Sequence, residues 1–204
     1  MLNPKEDERD LCLEFTNTVH WHASDHPFET LHTYADLVAW AQDKRLLSHH
    51  EATALVTAAV QQPKVAAKVL QRGLELREAI YRTFIAYFHG KEPHEDDLAR
   101  LNQELSLALG RMHLVRETGA FVVRWADGEL LLERVLWSVI RSAVELLTSP
   151  ELLARVGQCA DDRGCGLLFL DTSKNRSRQW CDINDCGNRA KQRRHYQRTR
   201  QQPS

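Results

Sequence analysis

Apolar residues recur at helical spacing through residues 9–110. Leu11, Phe15, Thr18 and Val19 share one face of a first predicted helix, and Tyr34, Leu37, Val38 and Ala41 one face of a second. Ser48-His49-His50-Glu51 reads as a capping box, a Ser side chain on the third backbone N–H with a Glu reaching back, and opens a third helix to Val60. Pro63 suits the first turn of a long helix reaching Phe88, with Gly90 as its stop. Leu70, Leu74, Arg77, Tyr81, Phe84 and Phe88 trace its buried or bordering stripe. Leu98, Leu101, Leu105 and Leu109 predict a fifth helix, ended by Gly110.

The period then changes. HLVRETGAFVVRW, residues 113–125, holds two short strand-like runs around Thr118-Gly119, the pattern of a β-hairpin. Helical spacing returns at Leu131–Leu147, and Ser149-Pro150-Glu151 caps a short helix beyond it. The predicted fold is α+β: mostly α, with a small hairpin. A helical domain over residues 1–150 is followed by a small treble-clef-like unit over 151–204, with the only evident boundary near residues 149–158.

Composition narrows the class. The chain has 204 residues, 43% apolar and 27% charged, which suits one ordinary domain with a small appendage and excludes a wholly disordered chain. It holds no run of about 18 uninterrupted apolar residues, so no membrane span is expected. The start, MLNPKEDERDLC, is acidic and lacks an apolar secretory core, which predicts a cytoplasmic protein.

The formal net charge of −1 conceals a division. Residues 172–204 carry nine Lys/Arg against Asp182 and Asp185, a balance of +7, which leaves −8 on residues 1–171. An acidic body with a basic end fits a polyanion-binding tail, or a merely solubilising one.

Four of the five cysteines are also in this end, as C-x5-C-x15-C-x4-C: Cys159, Cys165, Cys181 and Cys186. Two close pairs separated by a hairpin-sized insert suit tetrahedral zinc, because each loop brings two thiolates to one ion. Disulfides or inert buried thiols would account for the same residues, but a cytosolic chain keeps its thiols reduced. With all four positions sulfur, the expected site is closed and structural, holding one zinc ion. GLLFLD after Cys165 reads as a short strand, TSKNRS as a polar turn, DINDCGN as a second turn and AKQRRHYQRTR as a helix. So small a unit cannot bury enough surface to fold alone, and metal ligation would supply the missing stability. Cys186 falls near the start of the last helix, where the helix dipole favours a thiolate.

That last helix is basic nearly all round and offers no apolar face to a core. Docked on phosphates, its self-repulsion becomes attraction through counterion release. Arg189, Lys191, Arg193, Arg194 and Arg198 on the helix, with Lys174, Arg176 and Arg178 on the preceding turn, are the candidate nucleic-acid contacts.

The stretch WCDINDCGNRAKQRRH, above all Cys186-Gly187-Asn188-Arg189, resembles the CGNR zinc finger of bacterial proteins, and LFLDTSKNRSRQWC before it is similar to the same family. The resemblance implies zinc ligation by the four cysteines and DNA binding by the module. The first loop, CADDRGC, is one residue longer than usual. Upstream, LCLEFTNTV and YADLVAWAQDKRLL resemble the ABATE domain that precedes this finger in proteins assigned as stress-induced transcription regulators.

Nothing in the body points to catalysis, and a non-enzyme is expected. His20, His22, Asp25, His26 and His32 form its one dense polar cluster, but Pro27 disfavours helix at His26 and no zinc-hydrolase glutamate accompanies them, so an exposed loop is expected. Asn17 and Thr18, amid apolar residues, are candidates for lining a small-molecule pocket or for satisfied polar groups at a helix end. Cys12 reads as a small core residue. The resulting expectation is a zinc-containing, duplex-DNA-binding transcription regulator. The alternatives are an RNA-binding module, with Trp180 or Tyr196 stacking on an unpaired base, and a sensor of a small molecule or protein whose finger only closes the fold. A homodimer would suit palindromic DNA.

Overall fold

A computed structural model describes residues 9–125 and 131–200; residues 1–8, most of the acidic start, lie outside it. The chain opens with a short helix α1 (Leu11–Thr16), whose Leu11, Cys12, Leu13 and Phe15 are all buried. The predicted first face stops there. Thr18 and Val19 leave the helix, and Val19 starts a two-residue strand β1 (Val19–His20) paired antiparallel with β2 (Phe28–Glu29). Two β-branched residues in succession disfavour another helical turn, and Thr18 instead turns its hydroxyl back onto the Phe15 carbonyl at 2.8 Å.

Helices α2 (Tyr34–Asp43) and α3 (His49–Gln61) both begin with complete capping boxes, Thr33 with Asp36 and Ser48 with Glu51. The Ser48 backbone N–H and hydroxyl hold the Glu51 carboxyl below its ordinary range. Helix α4 (Pro63–Phe88) is the central pillar, with Pro63 in its first turn and Gly90 at φ 62° just past its end. Gly73 permits a close approach: a Cβ there would sit 3.1 Å from Leu136 and 3.8 Å from Leu37 and Phe15. Helix α5 (Glu95–Leu109) packs on α4, but its leucine stripe is rotated from expectation. Leu98 and Leu109 are exposed, while Leu101, Glu104 and Ala108 face inward. Glu104 is 1% exposed and is held by Arg72 through two hydrogen bonds of 3.0 and 2.7 Å.

The predicted hairpin follows as β3 (Met112–Glu117) and β4 (Ala120–Trp125), and α6 (Arg134–Thr148) then returns through the core, burying Leu136, Ile140, Ala143 and Leu146. Cys12 lies against it, its backbone N–H on the Ser142 hydroxyl at 3.0 Å and its thiol pushed up to about 12 by burial. A short helix α7 (Pro150–Leu153), capped by Ser149, leads into β5 (Val156–Gln158), which pairs antiparallel with β6 (Leu168–Leu170). A single-turn π-helical segment, Ile183–Gly187, runs into the last helix, α8 (Asn188–Arg200). Val156 and Leu168 are buried in the same apolar core as the helices, so packing is continuous across residues 149–158, where the sequence showed a boundary. Among the described residues no helix is long and apolar enough to cross a membrane.

Removing one partner of a buried ion pair strands the other's charge. Arg72→Met should therefore cost about 3 kcal/mol in urea denaturation, and adding Glu104→Met should recover most of it, because an apolar pair of similar volume is close to neutral.

Candidate metal centre

Cys159 and Cys165 lie in the loop joining β5 to β6, while Cys181 and Cys186 flank the turn that enters α8. Two ligands from a hairpin loop and two from a helix start make the arrangement treble-clef-like. The four sulfurs lie within 4.8 Å of one another, with Cys165–Cys181 at 3.6 Å and Cys181–Cys186 at 3.7 Å. Zn–S bonds of about 2.3 Å at tetrahedral angles put sulfurs about 3.8 Å apart. The spacing fits one ion, and no cysteine is in a disulfide.

The protonation chemistry also calls for a cation. Hydrogen bonds from Cys165 and then Cys181 pull the Cys159 thiol well below its ordinary value. The other three are held up: Cys165 and Cys181 by engagement with Cys159, and Cys186, to about 12, by burial. Four thiolates cannot share this volume unaided. A divalent ion supplies the missing charge and releases the remaining protons. The residues therefore fit one structural zinc ion, with all four positions closed by sulfur.

The surroundings finish the site. Backbone N–H groups of Asp161 and Cys181 point to the Cys159 sulfur, and that of Leu167 to Cys165. Arg189 donates to the Cys186 sulfur at 2.9 Å. Trp21, Leu167 and Trp180 pack around the cluster, with the Arg163 and Arg189 guanidiniums each 5.2 Å from the Trp21 ring centre. Asp161, its side chain fully buried, is held far below the usual carboxylate range, chiefly by hydrogen bonds from Arg163. Arg189 and Arg193 reach the same carboxylate at 3.5 and 3.8 Å.

The finger is also stitched to the body. Asn17 forms a reciprocal pair with Leu168, donating to its carbonyl at 2.7 Å and accepting from its N–H at 2.9 Å. The N–H groups of His22 and Ala23 donate to the carbonyls of Cys165 and Gly164, both at 3.1 Å. Gly164 and Gly166 have φ of 88° and 68°, and a Cβ on either would lie 2.7 Å from residues 23–24. Gln158 donates to the Tyr81 hydroxyl at 3.2 Å.

These contacts decide between expectations and correct others. Asn17 and Thr18 take the second of their two expected roles, satisfied polar groups at a helix end: Asn17 is engaged by Leu168, and the Thr18 hydroxyl also accepts from buried Arg77 at 3.0 Å. His22 is not on an exposed loop. Its ring stacks on Tyr81 at 3.6 Å and meets Glu78 at 2.9 Å, because the finger covers this segment. Of the candidate nucleic-acid residues, three are committed internally. Arg178 donates to the Trp180 and Cys181 carbonyls, Arg189 holds Cys186, Asp161 and Asp185, and Arg193 holds Asp161 and Asp162. Lys174, Arg176, Lys191 and Arg194 are exposed with no carboxylate partner among the described residues, while the Arg198 side chain lies outside them. Trp21 and Asp161 escaped the sequence reading, since neither stands in a chemical motif.

Metal analysis should return one zinc per chain. Chelation should shift tryptophan fluorescence, since Trp21 and Trp180 flank the cluster, and should lower the melting temperature of the body as well as the finger. Gly166→Ala, forced into a left-handed conformation against Ala23, should cost about 2 kcal/mol in thermal unfolding.

Residues 9–150 match the family model for ABATE, described as "Putative stress-induced transcription regulator", and residues 155–199 match that of the CGNR zinc finger. No curated protein matches the chain. With most of its length in the first match and its metal centre in the second, the chain belongs to the ABATE family and carries a CGNR zinc finger at its carboxy-terminal end.

Proposed function

We propose that this protein is a duplex-DNA-binding transcription regulator in which the zinc centre fixes α8 and the 172–178 turn for contact with phosphates. The observation that carries the reading is the sorting of its cations. The arginines nearest the metal are neutralised by Asp161, Asp162 and Asp185, whereas Lys174, Arg176, Lys191 and Arg194 face solvent without an acidic partner among the described residues. Cations without a carboxylate partner on an ordered surface are available to a polyanion, and a helix of this kind has the dimensions of the major groove.

The turn is held in shape independently of any ligand. Asp171 accepts from the N–H groups of Ser173 and Arg178 at 2.8 and 2.9 Å, and Arg155 donates to the Asp171 carbonyl at 3.0 Å. Duplex is favoured over single-stranded RNA by the state of Trp180, which packs on the cysteine cluster beneath the Arg194 guanidinium, 5.9 Å from its ring centre, and is not presented for stacking on a base. In this reading the protein is not an enzyme. It works in the cytoplasm, where reduced thiols keep the zinc.

Four phosphate contacts predict a log affinity that falls with log salt at a slope of about −3.6, measured by fluorescence anisotropy on duplex selected from a random pool. Lys191→Glu with Arg194→Glu should weaken binding at least tenfold and leave zinc content unchanged. Arg193→Glu should instead loosen the finger, lowering the melting temperature. Binding that ignores salt, or a stronger response to single-stranded RNA in competition, would overturn the proposal.

A further inference from the structure

The β3–β4 hairpin buries little of its own apolar surface. None of its twelve positions is buried, and Leu114, Phe121 and Val123 are 69%, 70% and 40% exposed. Its attachment is at the base, where Trp125 meets Trp137 with ring centres 5.5 Å apart. A lone two-stranded ribbon is marginal in water, and an exposed apolar edge is a template for a further strand. We propose that β4 is a homodimer edge, pairing antiparallel with β4 of a second copy about a two-fold axis at Val122.

The register within the hairpin fixes what such an edge presents. A two-residue turn at Thr118 and Gly119, both at positive φ, closes on the Glu117–Ala120 pair, and Val115 lies opposite Val122. In that pattern the backbone groups of Ala120, Val122 and Arg124 face β3, and those of Phe121 and Val123 face outward. A two-fold axis at Val122 then joins Phe121 to Val123 of the second copy, and Val123 to its Phe121, through hydrogen-bonded pairs. It also makes Val122–Val122 the intervening non-bonded pair.

The side chains complement themselves in this register. One face gains a continuous row of four valines: Val115, Val122, and Val122 and Val115 of the second copy. The other face gains two aromatic-to-β-branched pairs of the kind that stabilise sheets. The flanking rows set His113 and Arg124 of one copy beside Ala120 and Glu117 of the other; Arg124 already holds Glu117 of its own hairpin through hydrogen bonds of 2.8 and 2.7 Å, so the rows bring no like charges into opposition. The β3 edge would instead pair Leu114 with Arg116. The apolar pattern, with no like charges brought together, therefore selects β4, and the occupant it describes is a second copy of this chain.

Such an extension buries less than the area of permanent dimers, which places it among reversible associations. Sedimentation velocity on zinc-loaded full-length protein should show a concentration-dependent monomer–dimer equilibrium. Phe121→Lys with Val123→Lys, which sets like charges opposite each other, should weaken it about tenfold or more without changing the circular dichroism. Non-bonded pairs lie within disulfide reach, so Val122→Cys should form a covalent dimer on mild oxidation, and Val115→Cys should not. A chain monomeric across the whole series, unaffected association in the double-lysine variant, or cross-linking through Val115→Cys in preference to Val122→Cys would each overturn the proposal.

Discussion

Four sulfurs within 4.8 Å cannot all be anions unless a cation stands among them. This constraint governs the carboxy-terminal quarter of the molecule. One zinc ion with four thiolates leaves a net charge of roughly −2 at the centre, and the chain answers with backbone N–H groups and the Arg189 guanidinium on Cys186. The same ion sets the angle between the β5–β6 loop and the start of α8, since each supplies half of the ligands. Once the loop is fixed, its Gly164 and Cys165 carbonyls accept from residues 22–23, and the finger becomes part of the body.

The seating of the finger explains polar groups that otherwise have no place in an apolar interior. Asn17 serves Leu168 as a neighbouring strand would, by offering both an acceptor and a donor. Arg77, 3% exposed, is matched by Glu29, Glu78 and Thr18, and Glu78 in turn meets His22, whose backbone reaches the metal loop. Buried charge is thus compensated group by group along the line joining α4 to the finger, as it is between α4 and α5, where Arg72 holds Glu104 and Arg82 holds Asp97.

Electrostatics near the metal divides the basic segment into two populations. Charges beside the zinc centre are held by buried Asp161 and by Asp162 and Asp185, whereas Lys191 and Arg194 on α8 and Lys174 and Arg176 on the turn have no carboxylate partner among the described residues. An arginine cannot both brace a thiolate centre and grip a phosphate. Position in the tertiary structure, not residue type, decides which of these side chains is already committed to the zinc centre.

Much of this was legible from local pattern. The caps at Ser48 and Ser149, the Pro63 start and Gly90 stop of α4, the hairpin turn at Thr118-Gly119 and the cysteine spacing all act over a few residues, so the chain declares them without reference to distant parts. What required the folded molecule was everything decided between residues far apart in the chain. Leucine spacing in α5 could not reveal that Arg72 would draw Glu104 inward and turn Leu98 and Leu109 to solvent. A histidine-rich loop could not announce that a zinc finger more than a hundred residues later would cover His22 and Trp21. Periodicity and capping report short-range geometry, whereas the compensation of charge and the closure of one surface on another depend on which distant groups the fold brings within reach.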